Sequence, residues 1–283
     1  MMKIREIIAR IEAYHPSLGQ TYNGCDAYKC GDPEAECTGV VTAMAATVNI
    51  IRQAAALGAN LIVVHEPTNH TSADEPGWPL DFRNDVFAEK ERMLKENGIV
   101  IWRDHDHMHA HHPDGIFTGV LKYLGWQEYA EEDASMGRFT HFIVTLPQAA
   151  TLQDLLVHLK KTIGLNGLRY IGPKDMPVRR IAIVGHLYPA EEDSGKEYSV
   201  EIIRYFEEQG VDVILPGETI DWTLLSYARD AVQLGRHKAV VTLGHFNWEE
   251  LGMRYAQDWL SDLLGEEVPV YYLPSEDMYS YLI

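Results

Sequence analysis

The chain has 283 residues, 46% of them hydrophobic, with 24 basic against 42 acidic side chains for a formal net charge of -18. That charge repels a phosphate backbone and argues against a nucleic-acid partner. No run of 18 or more apolar residues exists, and charges interrupt the opening Met-Met-Lys-Ile-Arg-Glu, so neither a membrane span nor a signal segment is expected and the expected location is cytoplasmic.

Ile4, Ile7, Ile8 and Ile11 recur at helical spacing and predict a helix over 3–13. Residues 22–33, rich in Gly, Asn, Asp and Cys, read as a loop. A first strand is expected over 37–44 and a helix over 47–57, closed by Gly58. The continuous apolar run 61–64 suits a strand buried on both faces, ending at His65-Glu66-Pro67. The pattern then repeats: helix 82–97 closed by Gly98, strand 99–102, and a helix over 113–125. The second half predicts strands at 141–146, 181–184, 211–215, 239–243 and 268–273, with helices at 151–163, 198–209, 221–234 and 247–264. Strands alternating with helices imply an α/β fold with largely parallel or mixed sheets.

Between strand 99–102 and helix 113–125 lies Trp-Arg-Asp-His-Asp-His-Met-His-Ala-His-His-Pro-Asp, which holds five of the 13 histidines: His105, His107, His109, His111 and His112. If extended, the segment turns His105, His107, His109 and His111 to one face and Asp104 and Asp106 to the other. Imidazoles are common metal ligands, and carboxylates complete the coordination or orient the rings. A metal site is therefore expected, with a solvated polar loop as the plain alternative.

His245 and Glu249 stand four apart at a helix start, a spacing that stacks them on one helical face. The bland reading makes Glu249 a first-turn carboxylate favoured by the helix dipole. His65-Glu66 at a buried strand end needs a partner, either an ion or a hydrogen-bonded loop. His65, His105, Glu218 and His245 all follow strand ends, where ligand sites of parallel sheets collect. His15, His141, His158 and His237 read as isolated surface or helix-face histidines without a role, and His70, His111, His112 and His186 are undecided. Cys25, Cys30 and Cys37 have an odd number and an irregular spacing, so reduced loop or structural thiols are expected, with an accessory soft-metal site as the lesser reading.

Taken in order, these motifs resemble the Nif-three-like family, whose members are catalogued as GTP cyclohydrolase I type II homologues. The carrying residues are Gly31-Asp32, Thr38-Gly39-Val40, the run 59–67 ending in His65-Glu66-Pro67, His105-Asp106-His107-Met108-His109, the run 211–218 ending in Gly217-Glu218, and Gly244-His245 to Glu249. The resemblance implies two similar α/β halves, 1–136 and 137–283, with two divalent metal ions (Zn, Fe or Mn) in the cleft between them. By position the ligands are His65, Glu66, His109, His245 and Glu249, with His105 as a further member. The resemblance also implies a homo-oligomer, often a hexamer. Three departures stand out: Glu66 replaces the family's second His, His109 replaces its Asp, and Trp222 falls near a frequent further His.

The leading functional expectation is a metal-dependent hydrolase acting on a small molecule, with Glu218 as the proton-handling carboxylate; a helix-entry cap is the alternative for Glu218. GTP ring opening has little support, because no Gly-rich phosphate cradle is present. One rival is a non-catalytic metal-binding or scaffold protein, favoured by the surplus His107, His111 and His112. A second is an amidohydrolase barrel, prompted by His107-Met108-His109.

Overall fold

Short strands, most of them followed by a helix, build two sheets in the computed structural model, which describes residues 2–71, 74, 84–133, 142–186 and 197–282. In chain order the first elements are α1 (Ile4–Tyr14), β1 (Ala27–Cys30), β2 (Val40–Ala43), α2 (Val48–Leu57), β3 (Leu61–Val64), α3 (Asp85–Glu96), β4 (Val100–Arg103), α4 (Asp106–His109) and α5 (Gly115–Leu124). There follow β5 (Ala130–Glu132), β6 (Phe142–Thr151), α6 (Leu152–Ile163), β7 (Arg169–Ile171), β8 (Pro177–Val184), α7 (Tyr198–Glu207), β9 (Val213–Pro216), α8 (Ser226–Gln233), β10 (Ala239–Thr242), α9 (His245–Leu264) and β11 (Val270–Tyr272). The chain divides into two compact units: residues 1–120 with 249–275, and residues 121–248 with 276–283.

The first unit holds a five-stranded sheet in the order β1-β4-β3-β2-β11. Its β4, β3, β2 and β11 run parallel, and β1 adds an antiparallel edge. All four residues of each of β2, β3 and β4 are buried, as a parallel sheet covered on both faces requires. Val41, Ile50, Ile51, Ile62, Leu94 and Ile101 pack into one core cluster. Thr47 caps α2 by accepting from the Ile50 N–H, and Gly58, at φ 70°, closes it in a left-handed turn.

The second unit holds a six-stranded mixed sheet in the order β5-β6-β8-β9-β10-β7. Among its neighbouring strands β8–β9 and β9–β10 pair in parallel, whereas β5–β6, β6–β8 and β10–β7 pair antiparallel. Ile143, Val184, Ile202, Phe206, Ile214 and Val240 belong to its core cluster. Thr151 and Asp154 form a reciprocal capping box that starts α6.

The strands form two open sheets among the described residues, so the amidohydrolase barrel is ruled out. The expected loop 22–33 contains β1, and β5 and β7 were also unforeseen. All three are three- or four-residue edge strands without a fully buried face, so they leave no periodic signal. The expected helix 221–234 is broken: a wide turn spans Asp221–Leu225 with Thr223 at φ -102° and ψ -119°, and regular helix begins at Ser226. Residues 82 and 83 of the expected third helix, and His141, lie outside the described residues. No helix among the described residues is long and apolar enough to cross a membrane.

One buried cation gives the first unit a pH signature. Lys90 on α3 is 5% exposed and its Nζ donates to the Thr68 carbonyl at 2.6 Å. Burial pushes its pKa down from 10.5 to about 8, with Asp74 opposing. Below the folded value both states are charged and the full desolvation cost is present; between the two values the unfolded chain binds more protons, so stability rises with pH. In urea unfolding, the stability of wild type relative to Lys90→Met is expected to rise by roughly 3 kcal/mol between pH 7.5 and 10.5. Parallel curves for the two proteins would show that Lys90 carries no such burden.

Candidate metal centre

In the first unit β3 and β4 lie side by side and parallel, with Val64 opposite Arg103. Their carboxyl ends therefore deliver His65-Glu66 and Asp104-His105 to the same edge of the sheet. The Asp104 N–H donates to the Val64 carbonyl at 2.8 Å and ties the two exits together.

The histidine tract is not extended. Residues Asp106–His109 form one helical turn, which puts His105 and His109 on one side and sends His107 and His111 elsewhere. Asp26 imposes the turn: its Oδ1 accepts from the N–H groups of His105 (2.7 Å) and Asp106 (3.0 Å), and its Oδ2 from that of His107 (2.9 Å). Burial alone would raise the Asp26 pKa, but these donors hold it below its ordinary value. The same Oδ2 also meets His107 Nδ1 at 2.6 Å.

Three imidazoles converge with their outer nitrogens anchored. His65 Nδ1 faces the Asp104 carbonyl at 3.2 Å, His109 Nδ1 the Asp114 carboxylate at 2.8 Å, and His105 Nδ1 the Asp106 carboxylate at 2.8 Å. An oxygen acceptor opposite each Nδ1 places the proton there in the neutral ring, so that Nε2 is the nitrogen with a lone pair once any second proton is displaced. The Nε2 atoms of His65 and His109 lie 3.2 Å apart, and His65 Nε2 is 3.3 Å from Glu249 Oε2. Glu66 Oε1 stands 4.0 Å from His105 Nε2. The donor atoms of His65, His105 and His109 all lie within 4.8 Å of one another, as do those of His65, Glu66 and Glu249. Zn–N bonds of 2.0–2.1 Å in a tetrahedron put ligand atoms about 3.3 Å apart. The donor set and its spacing fit a divalent ion.

The local field is negative. Burial disfavours charge on His109, yet Asp114, Glu249 and Glu66 raise its pKa to about 9. His105 moves down, chiefly through burial and the neighbouring His65. Its contact holds the Asp106 carboxyl far below the carboxylate range. Arg103 braces the loop after β3: Nε donates to the His65 carbonyl at 3.0 Å, and its guanidinium lies 3.7 Å from Glu66 and 3.9 Å from Asp74. Asp74 in turn accepts from the N–H groups of Thr68 and Asn69 at 2.6 and 2.8 Å.

The second unit carries the other expected residues. His245 opens α9, four residues before Glu249. Its Nδ1 is 3.6 Å from Glu218 Oε1, and its ring centroid is 4.1 Å from that of His186. His186 Nδ1 accepts from the Glu218 N–H at 3.0 Å, which gives this histidine a place the sequence left undecided. A cavity of about 310 Å³ is lined by Arg169, Glu218, Thr242, His245, Asn247 and Tyr279.

His15, read from the sequence as an isolated histidine without a role, is 8% exposed and bonded through both ring nitrogens. His158 meets the Leu124 carbonyl at 3.0 Å, and His237 is exposed. The three cysteines are free thiols. Burial raises the pKa of Cys25 to about 12 and those of Cys30 and Cys37 to about 11, so none is a thiolate near neutrality. Cys25, His105 and Asp106 nonetheless form a further group whose donor atoms lie within 4.8 Å.

The Duf34/NIF3 (NGG1p interacting factor 3) model matches residues 2–277, and the chain belongs to that family. It is 25% identical over 258 residues to the GTP cyclohydrolase 1 type 2 homolog of Clostridium acetobutylicum, covering 88% of this chain and 85% of that protein. Among solved structures it is similar to the Staphylococcus aureus protein SA1388, at a TM-score of 0.71 and 18% identity over 99% of both chains. It is also similar to a Bacillus cereus protein related to NIF3, at 0.72 and 17% over the same share. At these identities the structural likeness establishes the fold.

Proposed function

We propose that the protein is a divalent-metal-binding member of the NIF3 family that uses the bound metal to hydrolyse a small molecule. The convergence of three Nδ1-anchored imidazoles with the carboxylates of Glu66 and Glu249 carries this reading. His65, Glu66, His105, His109 and Glu249, all in the first unit, would hold the metal; His245, which the family resemblance adds to the set, belongs to the second unit. Glu66 and Glu249 would add carboxylate oxygens to the imidazole nitrogens of the donor set. Bound divalent metal supplies a Lewis acid and a water acidified toward neutral pH.

The remaining chemistry belongs to the chain. Asp104, Asp106 and Asp114 fix the imidazole tautomers, and Arg103 holds the His65-Glu66 exit in place. Glu218, half-exposed beside His245 and lining the cavity of the second unit, is the proton-handling carboxylate for a substrate seated there. Among the described residues Arg169 is the one Lys or Arg side chain lining that cavity, which gives a triphosphate little to bind. The relatives' GTP cyclohydrolase name therefore ranks below carboxylic-ester, phosphomonoester and cyclic-amide substrates. The reading also carries the homo-oligomer, a hexamer by resemblance, which size-exclusion chromatography tests.

Two of the three surplus histidines lend the carrier or scaffold alternative no support, since Asp26 engages His107 and His15 engages His111. The test is turnover by metal-loaded protein on those three substrate classes, with Glu218→Gln alongside. Turnover in wild type that drops about 100-fold in the variant, at equal metal content, is expected. Equal turnover would remove Glu218 from the reaction. Bound metal without turnover on any class would favour the carrier.

A further inference from the structure

The histidine that the sequence left without a role sits behind the metal centre. His15 closes α1 as its C-terminal cap residue. Its Nε2 is 2.9 Å from Asp104 Oδ2, and both side chains are only 2% exposed. Its Nδ1 is 2.8 Å from His111 Nε2. Asp104 has a second engagement at its other end, where its backbone carbonyl accepts from His65 Nδ1 at 3.2 Å.

We propose that His15 is a positioning residue for the metal centre: by holding the Asp104 carboxylate it fixes the backbone carbonyl that sets the tautomer and orientation of His65. A carboxylate this deeply buried needs donors, and among the described residues His15 Nε2–H is the side-chain donor that meets its Oδ2. With Nε2 donating to Asp104, His15 Nδ1 is the acceptor and His111 Nε2–H the donor, so the chain of bonds runs in one direction, from His111 through His15 to Asp104. The stacked rings of Tyr14 and Trp259 (4.4 Å between centroids, 8° between planes) lie against His15 and His111 and shield this chain. Loss of the donor leaves Asp104 Oδ2 buried without this partner. Asp104 then has to move, and it carries with it the His65 carbonyl contact and the adjacent ligand His105. Outer partners of metal-bound histidines matter by roughly 10–100-fold in affinity.

The metal arm of the test rests on the proposed metal reading, so a metal-free readout accompanies it. His15→Phe keeps a flat ring without the donor, and His15→Gln keeps a donor without the ring. Cobalt(II) titration of the full chain is expected to show affinity about 10–100-fold lower in His15→Phe, with an altered visible ligand-field spectrum, and within a few-fold of wild type in His15→Gln. Adding Asp104→Asn to His15→Phe is expected to lower affinity little beyond the more severe single change, because both act through one bond. In metal-free, nitrogen-labelled protein the protected His65 Nδ1–H resonance should be present in wild type and His15→Gln and lost in His15→Phe. Wild-type cobalt affinity together with an intact resonance in a folded His15→Phe variant overturns the inference. Equal loss in the Gln and Phe variants also overturns it, since ring packing would then be the cause. Wild type that binds no cobalt sinks the metal reading alone, and the resonance still decides the role of His15.

Discussion

Asp26→Ala is expected to unfold the histidine turn and take metal binding with it. One buried carboxylate, 1% exposed at the side chain, accepts three successive backbone N–H groups at the start of α4 and the ring of His107 besides. The first-turn N–H groups have no partner within the helix, so Asp26 satisfies donors that the turn cannot. Each donor stranded by the change costs about 1–3 kcal/mol, and about 3–4 kcal/mol in total is a reasonable expectation once water reaches part of the site. Because the folded pKa of Asp26 is depressed, its contribution is present above the unfolded carboxylate value and is lost as pH falls through the folded one. Denaturant unfolding near neutrality should show the full loss, and cobalt affinity should drop at least 100-fold as His105 and His109 lose their register. An alanine variant with wild-type stability and cobalt affinity would mean that the turn stands without its cap.

Asp114 separates fold from metal more cleanly. Its Oδ1 accepts from the N–H groups of Ile116 and Phe117 at 2.9 and 3.0 Å, which starts α5, and its Oδ2 faces His109 Nδ1 at 2.8 Å. Asp114→Ala removes both services and should cost about 3 kcal/mol, from a lost cap and a lost charge-assisted bond in a fully buried place. Asp114→Asn keeps an oxygen for the cap but turns an amide toward His109. The amide needs an acceptor, so Nδ1 must give up its proton and Nε2 must take one, which closes His109 as a ligand. The Asn variant is therefore expected to melt within a few degrees of wild type while binding zinc at least 10-fold more weakly. Zinc affinity unchanged in Asp114→Asn would show that the tautomer of His109 is not set by this bond.

The sequence made the sheet cores legible because parallel strands buried on both faces are continuous apolar runs, as in 61–64 and 99–102, and because Thr47, Gly58 and Thr151 mark helix ends chemically. Edge strands β1, β5 and β7 were not legible, since a three- or four-residue strand with a wet face carries no period. The site divided in the same way. His65, Glu66, His105, His109 and Glu249 stood out as metal-ligand types beside strand ends, and Asp106 and Asp114 as neighbouring carboxylates. An extended tract predicted the wrong partners within it, because what decides its shape is Asp26, 79 residues away from His105 in the chain. His15 gave no signal for the same reason: its partners Asp104 and His111 are 89 and 96 residues distant, and a lone histidine at a helix end looks like any other. Long-range capping by a single acid is invisible to spacing rules.

The most direct test of the central claim is metal per chain, by elemental analysis after zinc loading and removal of excess, for wild type and a His65→Ala, His109→Ala double variant. Wild type is expected to hold about two ions per chain and the variant almost none, with the circular dichroism and elution volume of wild type. A wild type that retains no zinc, or a folded double variant that retains as much as wild type, would contradict that claim.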